Sequence, residues 1–119
     1  MPRPKKPDKK PEDPRIDIVR ENIRIAAAKR GLNHAEISRQ AGMSRNGVQQ
    51  FVTGQTSITH SNLLRVCDVL QVPIGILHRP DAVTDNRIRL YRILDRMPDH
   101  LAEQAFVQAR DILGPGGQI

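Results

Sequence analysis

The sequence of 119 residues contains no tryptophan, one tyrosine, two phenylalanines and a single cysteine. With so few aromatic side chains, the core must be small and mainly aliphatic. A lone cysteine excludes a disulfide framework and a cysteine-based metal site. Cys67 lies in the apolar run LLRVCDVL, and we expect it to be a small buried hydrophobic residue.

Long apolar runs and catalytic motifs are also missing. No stretch approaches the roughly 18 consecutive apolar residues of a membrane span, and the N-terminal residues lack the apolar core of a signal peptide. The four histidines, at positions 34, 60, 78 and 100, are dispersed, and there is no Cys/His cluster or glycine-rich phosphate loop. The sequence therefore predicts a cytoplasmic protein that contacts no membrane, is not an enzyme, and has no metal or other cofactor.

The net charge of +6 is distributed unevenly along the chain. Residues 1–14 carry five Lys and Arg against three Asp and Glu, residues 15–78 carry eight against four, and residues 79–119 carry six against six. An excess of basic residues favours a polyanionic partner. This excess lies in the first two thirds of the chain, whereas the last third is neutral.

Residues 1–14, MPRPKKPDKKPEDP, hold five of the nine prolines and no large apolar residue after Met1. Such a segment cannot bury enough apolar surface to offset the entropy lost on ordering, so we expect a disordered arm. Two roles stay open for it. The basic arm lies along DNA phosphates, or it only makes the protein more soluble.

Helical periodicity begins after this arm. Over residues 16–30 the apolar side chains recur on a single stripe, and Gly31 supplies a stop. Asn33 followed by Glu36 is a variant of the capping box. The pattern predicts a second, short helix that ends at Gly42.

Ser44 is predicted to cap a third helix of about residues 45–53, with Gly54 as its terminator. Two short helices joined by so few residues are typical of a helix-turn-helix. Gly47 lies inside this third helix, at a cost of roughly 1 kcal/mol relative to alanine. The glycine indicates that the backbone comes close either to the second helix or to DNA.

Thr59 is predicted to cap a fourth helix, and Pro73 to open a brief fifth helix that ends at Leu77. The core-facing residues of the fourth helix are expected to be Leu63, Leu64, Val66, Cys67 and Leu70. The expected fold is all-α, with a five-helix domain over residues 15–78.

Two further apolar stripes follow a break at residues 79–81. They predict a helical hairpin over residues 82–113. Residues 114–119, GPGGQI, are expected to be a frayed tail.

Residues 23–77 resemble the Cro and lambda-repressor-like helix-turn-helix family, also called the XRE type. The positions that carry the resemblance are Leu32, Ile37, Ala41, Gly42, Ser44, Val48, Gly54, Leu63, Leu64, Val66, Leu70, Val72 and Leu77. The resemblance implies a five-helix lambda-repressor-like DNA-binding domain, here with an appended C-terminal helical hairpin, whose third helix enters the major groove of double-stranded DNA. It also implies a homodimeric transcriptional regulator, in particular a repressor, that is encoded by a bacterium or phage and associated with the nucleoid.

Two positions depart from the pattern of this family. Ser38 stands where most members have alanine, and Val52 stands where an acidic residue is common. Neither departure conflicts with the fold.

The third helix has one apolar side, formed by Val48, Phe51 and Val52, and an opposite side of amides and hydroxyls. Arginine can pair with guanine through O6 and N7, and asparagine or glutamine can pair with adenine through N6 and N7. The predicted base-contacting residues are therefore Arg45, Asn46, Gln49 and Gln50.

The resemblance assigns phosphate contacts to residues near helix ends and in the adjoining loops. These residues are Asn33, His34, Ser44, Thr53, Gln55, Thr59, His60 and Asn62. For Asn33 and Thr59 a helix cap is the competing role, and the two roles are compatible.

The apolar stripes of the hairpin favour contact between two subunits, although they could instead fold back on their own domain. The residues expected to form a dimer are Leu90, Ile93, Leu94, Met97, Leu101, Phe106 and Leu113. A second class of function stays open, in which the protein is an antitoxin or adaptor whose C-terminal hairpin binds a partner protein.

Overall fold

The structure, a computed structural model, describes residues 11–114. In this range every regular element is helical, which confirms the predicted all-α class. The α-helices are α1 (Ile16–Arg30), α2 (His34–Gln40), α3 (Gly47–Val52), α4 (His60–Leu70), α5 (Asp85–Arg96) and α6 (Asp99–Leu113), and a 3₁₀ helix (Ile74–His78) lies between α4 and α5. Residues 1–10 of the predicted arm and 115–119 of the predicted tail lie outside the described range.

The chain divides into two compact units, one that ends at Val83 and one that begins at Thr84. The first unit contains α1 to α4 and the 3₁₀ helix, and the second contains α5 and α6. The first unit extends beyond the predicted limit at residue 78, because Ala82 and Val83 are buried. No helix among residues 11–114 is long and apolar enough to cross a membrane.

The bounds of α1 agree with the sequence prediction. Its apolar residues Val19, Ile23 and Ala26 are each at most 1% exposed. The helix ends because Gly31 adopts a left-handed conformation with φ of 65°, which glycine reaches without steric cost.

Side-chain caps open α2 and α4 where the sequence predicted them. The Asn33 Oδ1 atom accepts a hydrogen bond of 2.8 Å from the Glu36 backbone N–H. The Thr59 Oγ1 atom accepts one of 3.1 Å from the Asn62 N–H. The Glu36 carboxylate binds the side chains of Arg39 and Gln40, so only the Asn33 half of the predicted capping box is confirmed.

The core of the first unit is aliphatic apart from Phe51. Its most completely buried large side chains are Phe51, Ile23, Ile37, Leu70, Ile76, Leu77, Val19, Val48 and Val66. The predicted core position of Leu64 is wrong, because this side chain is 42% exposed. Leu64 lies about 100° around α4 from Leu63, outside the stripe that Leu63, Val66 and Leu70 bury.

Cys67 is buried as the sequence predicted. Burial, and to a smaller extent the neighbouring Asp68 carboxylate, raise the pKa of its thiol to about 11. The side chain therefore stays protonated at neutral pH and acts as a small apolar residue.

A buried asparagine attaches the 3₁₀ helix to α1. The Asn22 Nδ2 atom donates hydrogen bonds of 2.8 Å to the backbone oxygens of Leu77 and Arg79. Asn22 is only 2% exposed, so these bonds satisfy an amide that water does not reach. The predicted fifth helix is thus present as a 3₁₀ turn that Pro73 precedes.

The second unit consists of two amphipathic helices with no buried residue in either. The Thr84 Oγ1 atom caps α5 by accepting a hydrogen bond of 3.1 Å from the Arg87 N–H. The exposed large apolar residues of the second unit are Leu90, Tyr91, Ile93, Leu94, Leu101, Phe106, Ile112 and Leu113. The arrangement of the two helices as a hairpin that joins subunits stays a prediction.

Candidate nucleic-acid interface

The third helix is shorter than the sequence predicted. The structure begins α3 at Gly47, so Arg45 and Asn46 lie in the preceding turn. The prediction that Ser44 caps this helix through its side chain is wrong. Asn46 is the N-cap residue, and its side chain forms no capping hydrogen bond. Ser44 contributes its backbone oxygen, which accepts a hydrogen bond of 2.8 Å from the Gly47 N–H.

The cap of α3 comes from the neighbouring helix α2. The Ser38 Oγ atom accepts a buried hydrogen bond of 3.0 Å from the Val48 N–H. The Ser38 backbone oxygen also accepts one of 2.8 Å from the Met43 N–H. Ser38 is fully buried, so a side chain that departs from the family pattern satisfies an otherwise orphaned N–H at the start of α3.

Gly47 packs closely against the turn between α2 and α3. A Cβ atom at this position would lie 3.0 Å from Met43 Cε and 3.3 Å from Ser44 Oγ. The absence of a side chain therefore lets the start of α3 lie against the Met43 side chain. Gly47 is the first residue of α3 and not an interior one, so the predicted cost of a mid-helix glycine does not apply, and the close Met43 contact favours a packing role within the domain.

Two arginines from α1 hold the other end of α3. The Arg20 Nε atom donates a hydrogen bond of 2.7 Å to the Phe51 backbone oxygen. The Arg24 guanidinium donates one of 2.9 Å to the Val52 backbone oxygen. The last carbonyls of a helix lack intrahelical partners and carry partial negative charge. Both cations thus stabilise the C-terminal end of α3.

Arg20 is unusually well surrounded for a charged residue. Its side chain is 9% exposed, forms ion pairs of 2.6 Å with Glu12 and 2.9 Å with Asp17, and lies 4.8 Å above the Phe51 ring centre. Its guanidinium also donates a hydrogen bond of 3.2 Å to the Thr56 backbone oxygen. Burial alone would lower the pKa of this guanidinium, but the hydrogen bonds to the two carboxylates outweigh it and raise the pKa.

Held in this way, α3 turns one side inward and the other outward. Val48, Phe51 and Val52 are at most 2% exposed, whereas Gln49 is exposed and Gln50 is partly exposed. The preceding Arg45 and Asn46 are exposed as well. All four residues predicted to contact bases are therefore accessible, although two of them precede the helix.

Among residues 11–114, no hydrogen bond or ion pair involves the Arg45 side chain. A shallow concave surface of about 420 Å³ lies beside it, lined by Asn33, Ala35, Glu36, Arg39, Met43 and Arg45. Hydrogen bonds from Arg39 and Gln40 lower the pKa of the Glu36 carboxyl to about 2. Arg45 is thus free to extend toward a ligand, while the carboxylate of Glu36 is occupied by its own helix.

The residues predicted to contact phosphates lie at helix ends and loops, and several already have roles within the domain. Thr53 donates its hydroxyl to the Gln49 backbone oxygen at 2.8 Å. Asn62 accepts a hydrogen bond from Arg65 at 3.3 Å. His34 on α2 forms a hydrogen bond with the Gln49 side chain on α3. Phosphate contact by any of the eight residues stays a prediction.

A comparison with protein families bears on the type of domain. The family model described as Helix-turn-helix matches residues 23–77, just under half of the 119 residues. This stretch is similar to helix-turn-helix domains of the lambda-repressor-like or XRE type, which DNA-binding transcription regulators carry. No curated protein and no solved structure matches the chain.

The match ends at Leu77, so α5 and α6 lie outside the matched residues. Over the described residues, no group of three or more His, Cys, Asp or Glu side chains is placed to hold a metal ion.

Sequence reasoning missed the residues that position α3. Arg20 lies three and seven residues before Ile23 and Ala27, and therefore falls on the buried stripe of α1. The position of an arginine on the apolar stripe of α1 could have indicated that its side chain is buried. Ser38 was recognisable as a departure from the family pattern, but its hydrogen bond to α3 was not.

We predict that Ser38→Ala destabilises the helix-turn-helix domain by about 1 to 2 kcal/mol, because the buried Val48 N–H loses its acceptor. Urea unfolding followed by circular dichroism measures the change. Ser44→Ala is the matched control and leaves the midpoint unchanged, since the Ser44 contribution to α3 comes from its backbone oxygen. Equal stability of the two variants would contradict the role of Ser38.

We predict that Arg20→Ala costs about 3 kcal/mol in unfolding free energy, because two carbonyls and two carboxylates lose a shared partner. Arg20→Lys recovers less than half of this loss, since an ammonium cannot reproduce the guanidinium fork. Arg15→Ala removes an exposed arginine that pairs with Asp13 and leaves the unfolding midpoint unchanged. Full recovery by lysine would show that charge alone matters.

Proposed function

We propose that this protein is a sequence-specific transcriptional repressor that binds double-stranded DNA as a homodimer, with α3 in the major groove. The observation that supports this most strongly is an exposed row of amide and guanidinium groups on α3 and the turn before it, with the helix anchored at both ends. A major groove about 12 Å wide admits an α-helix. Because α3 is fixed by Ser38, Arg20 and Arg24, its outer side chains are presented in one register.

The chemistry of this row suits base edges. Neither the first turn nor the last turn of α3 carries a charged residue, so no carboxylate on the helix repels the phosphates. Arg45 can read guanine through O6 and N7, and the amides of Asn46 and Gln50 can read adenine. Each good pair contributes about 1 to 3 kcal/mol of discrimination between bases.

The second unit supports a dimer through its exposed apolar faces and its charge. Helix α5 carries four arginines against two aspartates, whereas α6 carries three acidic residues against one arginine. In a two-fold dimer the same surface is used by both subunits, so α5 of one copy can face α6 of the other. Such pairing would bury Leu94 and Phe106, which are 47% and 48% exposed in the single chain.

A dimer places two recognition helices on two half-sites about one helical turn of DNA apart. Occupancy of a promoter by such a dimer would exclude other proteins from it, and this is the proposed mode of repression. The proposed place of action is the nucleoid of a bacterial cell, with the gene carried by the bacterium or by a phage. Support for repression over activation comes from the resemblance to lambda-repressor-like proteins.

We predict that Arg45→Ala and Gln49→Ala each weaken binding to a selected operator about 5- to 150-fold, because each loses contacts worth about 1 to 3 kcal/mol. Binding to unrelated DNA changes little. The measurement is a mobility-shift titration with operator and scrambled duplexes. Arg30→Ala is the matched control for Arg45, since it removes an equal charge from an exposed arginine that binds Gln71.

Two outcomes would contradict this proposal. In one, Arg45→Ala and Arg30→Ala weaken binding to the operator and to the scrambled duplex equally. Arg45 would then contribute only its positive charge. In the other, affinity for every duplex stays at about 10⁻⁴ to 10⁻⁶ M, the range of non-specific binding. With about 6 to 10 phosphate contacts, operator affinity should also fall by about 10³ to 10⁵ between 50 and 200 mM salt.

We predict that Leu94→Asp and Phe106→Asp convert the dimer into a monomer, because each places a charge in the proposed apolar interface. Light scattering coupled to size exclusion measures the mass in solution. Gln104→Asp is the control, since it adds the same charge at an exposed polar position of α6. A monomeric unsubstituted protein would refute the dimer and favour the antitoxin or adaptor function, with the same apolar faces bound to another protein.

A further inference from the structure

A side-chain hydrogen bond connects α2 to the exposed side of α3. It joins the His34 Nδ1 atom to the Gln49 Oε1 atom, across an interval of 15 residues. His34 is partly buried and Gln49 is exposed. The bond therefore lies at the edge of the surface proposed to face DNA, and it links a residue predicted to touch phosphate with one predicted to touch a base.

The donor in this pair is set by the chemistry of the amide. In the structure the Gln49 carbonyl oxygen faces the ring and accepts the bond, so the His34 Nδ1 atom is its donor. The Gln49 carbonyl is then directed toward α2. Its amide nitrogen, with two N–H donors, is the part of the group left to face outward.

This orientation changes what Gln49 can read. The pairing of glutamine with adenine needs the carbonyl oxygen to accept from N6 and the amide N–H to donate to N7 of the same base. The Gln49 carbonyl oxygen has two lone pairs, but while it is directed toward α2 it is turned away from the position of an adenine N6 group, which disfavours this two-point pairing. The outward N–H groups instead match acceptors in the major groove. Guanine offers two of them, O6 and N7, and thymine offers O4, whereas adenine N7 lies beside the N6 donor, which an outward N–H group does not match.

We propose that His34 is a specificity-determining residue, which holds the Gln49 carbonyl so that Gln49 selects guanine or thymine in place of adenine. The inference rests on the proposed function, since it requires α3 to lie in the major groove. In the free protein water competes for this bond, so its net contribution to stability is small. In a complex that excludes water the bond becomes stronger, so it persists where it decides the base contact.

The experiment is a binding selection from random double-stranded DNA, carried out in parallel with the full-length protein and its variants. Gln49→Ala identifies the base pair that Gln49 reads, because the preference at that position becomes flat. The unsubstituted protein should prefer guanine or thymine there. With His34→Ala the preference should shift toward adenine by about fivefold or more, since about 1 kcal/mol separates the bases.

Two further variants sharpen the test. His34→Gln keeps a side-chain N–H that can donate to the Gln49 carbonyl, so it should retain the preference of the unsubstituted protein. His78→Ala is the matched control, because His78 is an exposed histidine whose ring binds the Ile74 backbone oxygen on its own 3₁₀ helix. It should leave every position of the selected sequence unchanged.

The outcomes separate this inference from the proposed function. If the unsubstituted protein selects no sequence, the proposed function fails, and the inference falls with it. If it selects a sequence and His34→Ala leaves the Gln49 position unchanged, the function stands and the inference is overturned. A uniform loss of affinity with His34→Ala, without a shift of base, also overturns it and assigns His34 to a phosphate.

Discussion

The helix-turn-helix domain depends on how the two ends of α3 are held. With six residues from Gly47 to Val52, this helix is far below the roughly 12 to 15 residues at which isolated helices become marginally stable in water. Its position comes from three side chains outside it. Ser38 accepts from its first turn, and Arg20 and Arg24 donate to its last carbonyls. These bonds fix both the angle and the register of the outward row.

On the proposed function, that fixed register is what would let a set of polar side chains read bases. Side chains that are already ordered lose less entropy on binding, so more of their interaction energy appears as affinity. The same logic extends from α3 to its neighbour, where His34 orders the Gln49 amide before any ligand arrives. Short polar contacts between α1, α2 and α3 thus serve the stability of the fold and, on the proposed function, the selectivity of the surface.

The sequence could predict whatever depends on local order along the chain. The bounds of α1, the caps at Asn33 and Thr59, and the buried face of α3 all follow from periodicity and capping residues within one or two turns. The missed contacts join distant positions: Arg20 reaches Phe51 across 31 residues, and Asn22 reaches Leu77 across 55. Local patterns do not reveal which buried polar groups pair at such separations, so the helix bounds were accessible and the bonds between helices were not.

The arginines of the first unit differ in whether they pair with a carboxylate. This difference decides which of them contribute to the net positive charge that a polyanion meets. Arg20, Arg24 and Arg39 pair with carboxylates inside the chain, so they add little to the potential felt by a distant polyanion. In residues 15–78, eight basic residues against four acidic residues leave an excess of four. Other cations carry that excess, and Arg45 in the turn before α3 is among them. On the proposed function, substitutions of the buried Arg20 would therefore act on DNA binding through folding, whereas substitutions of Arg45 would act on it directly.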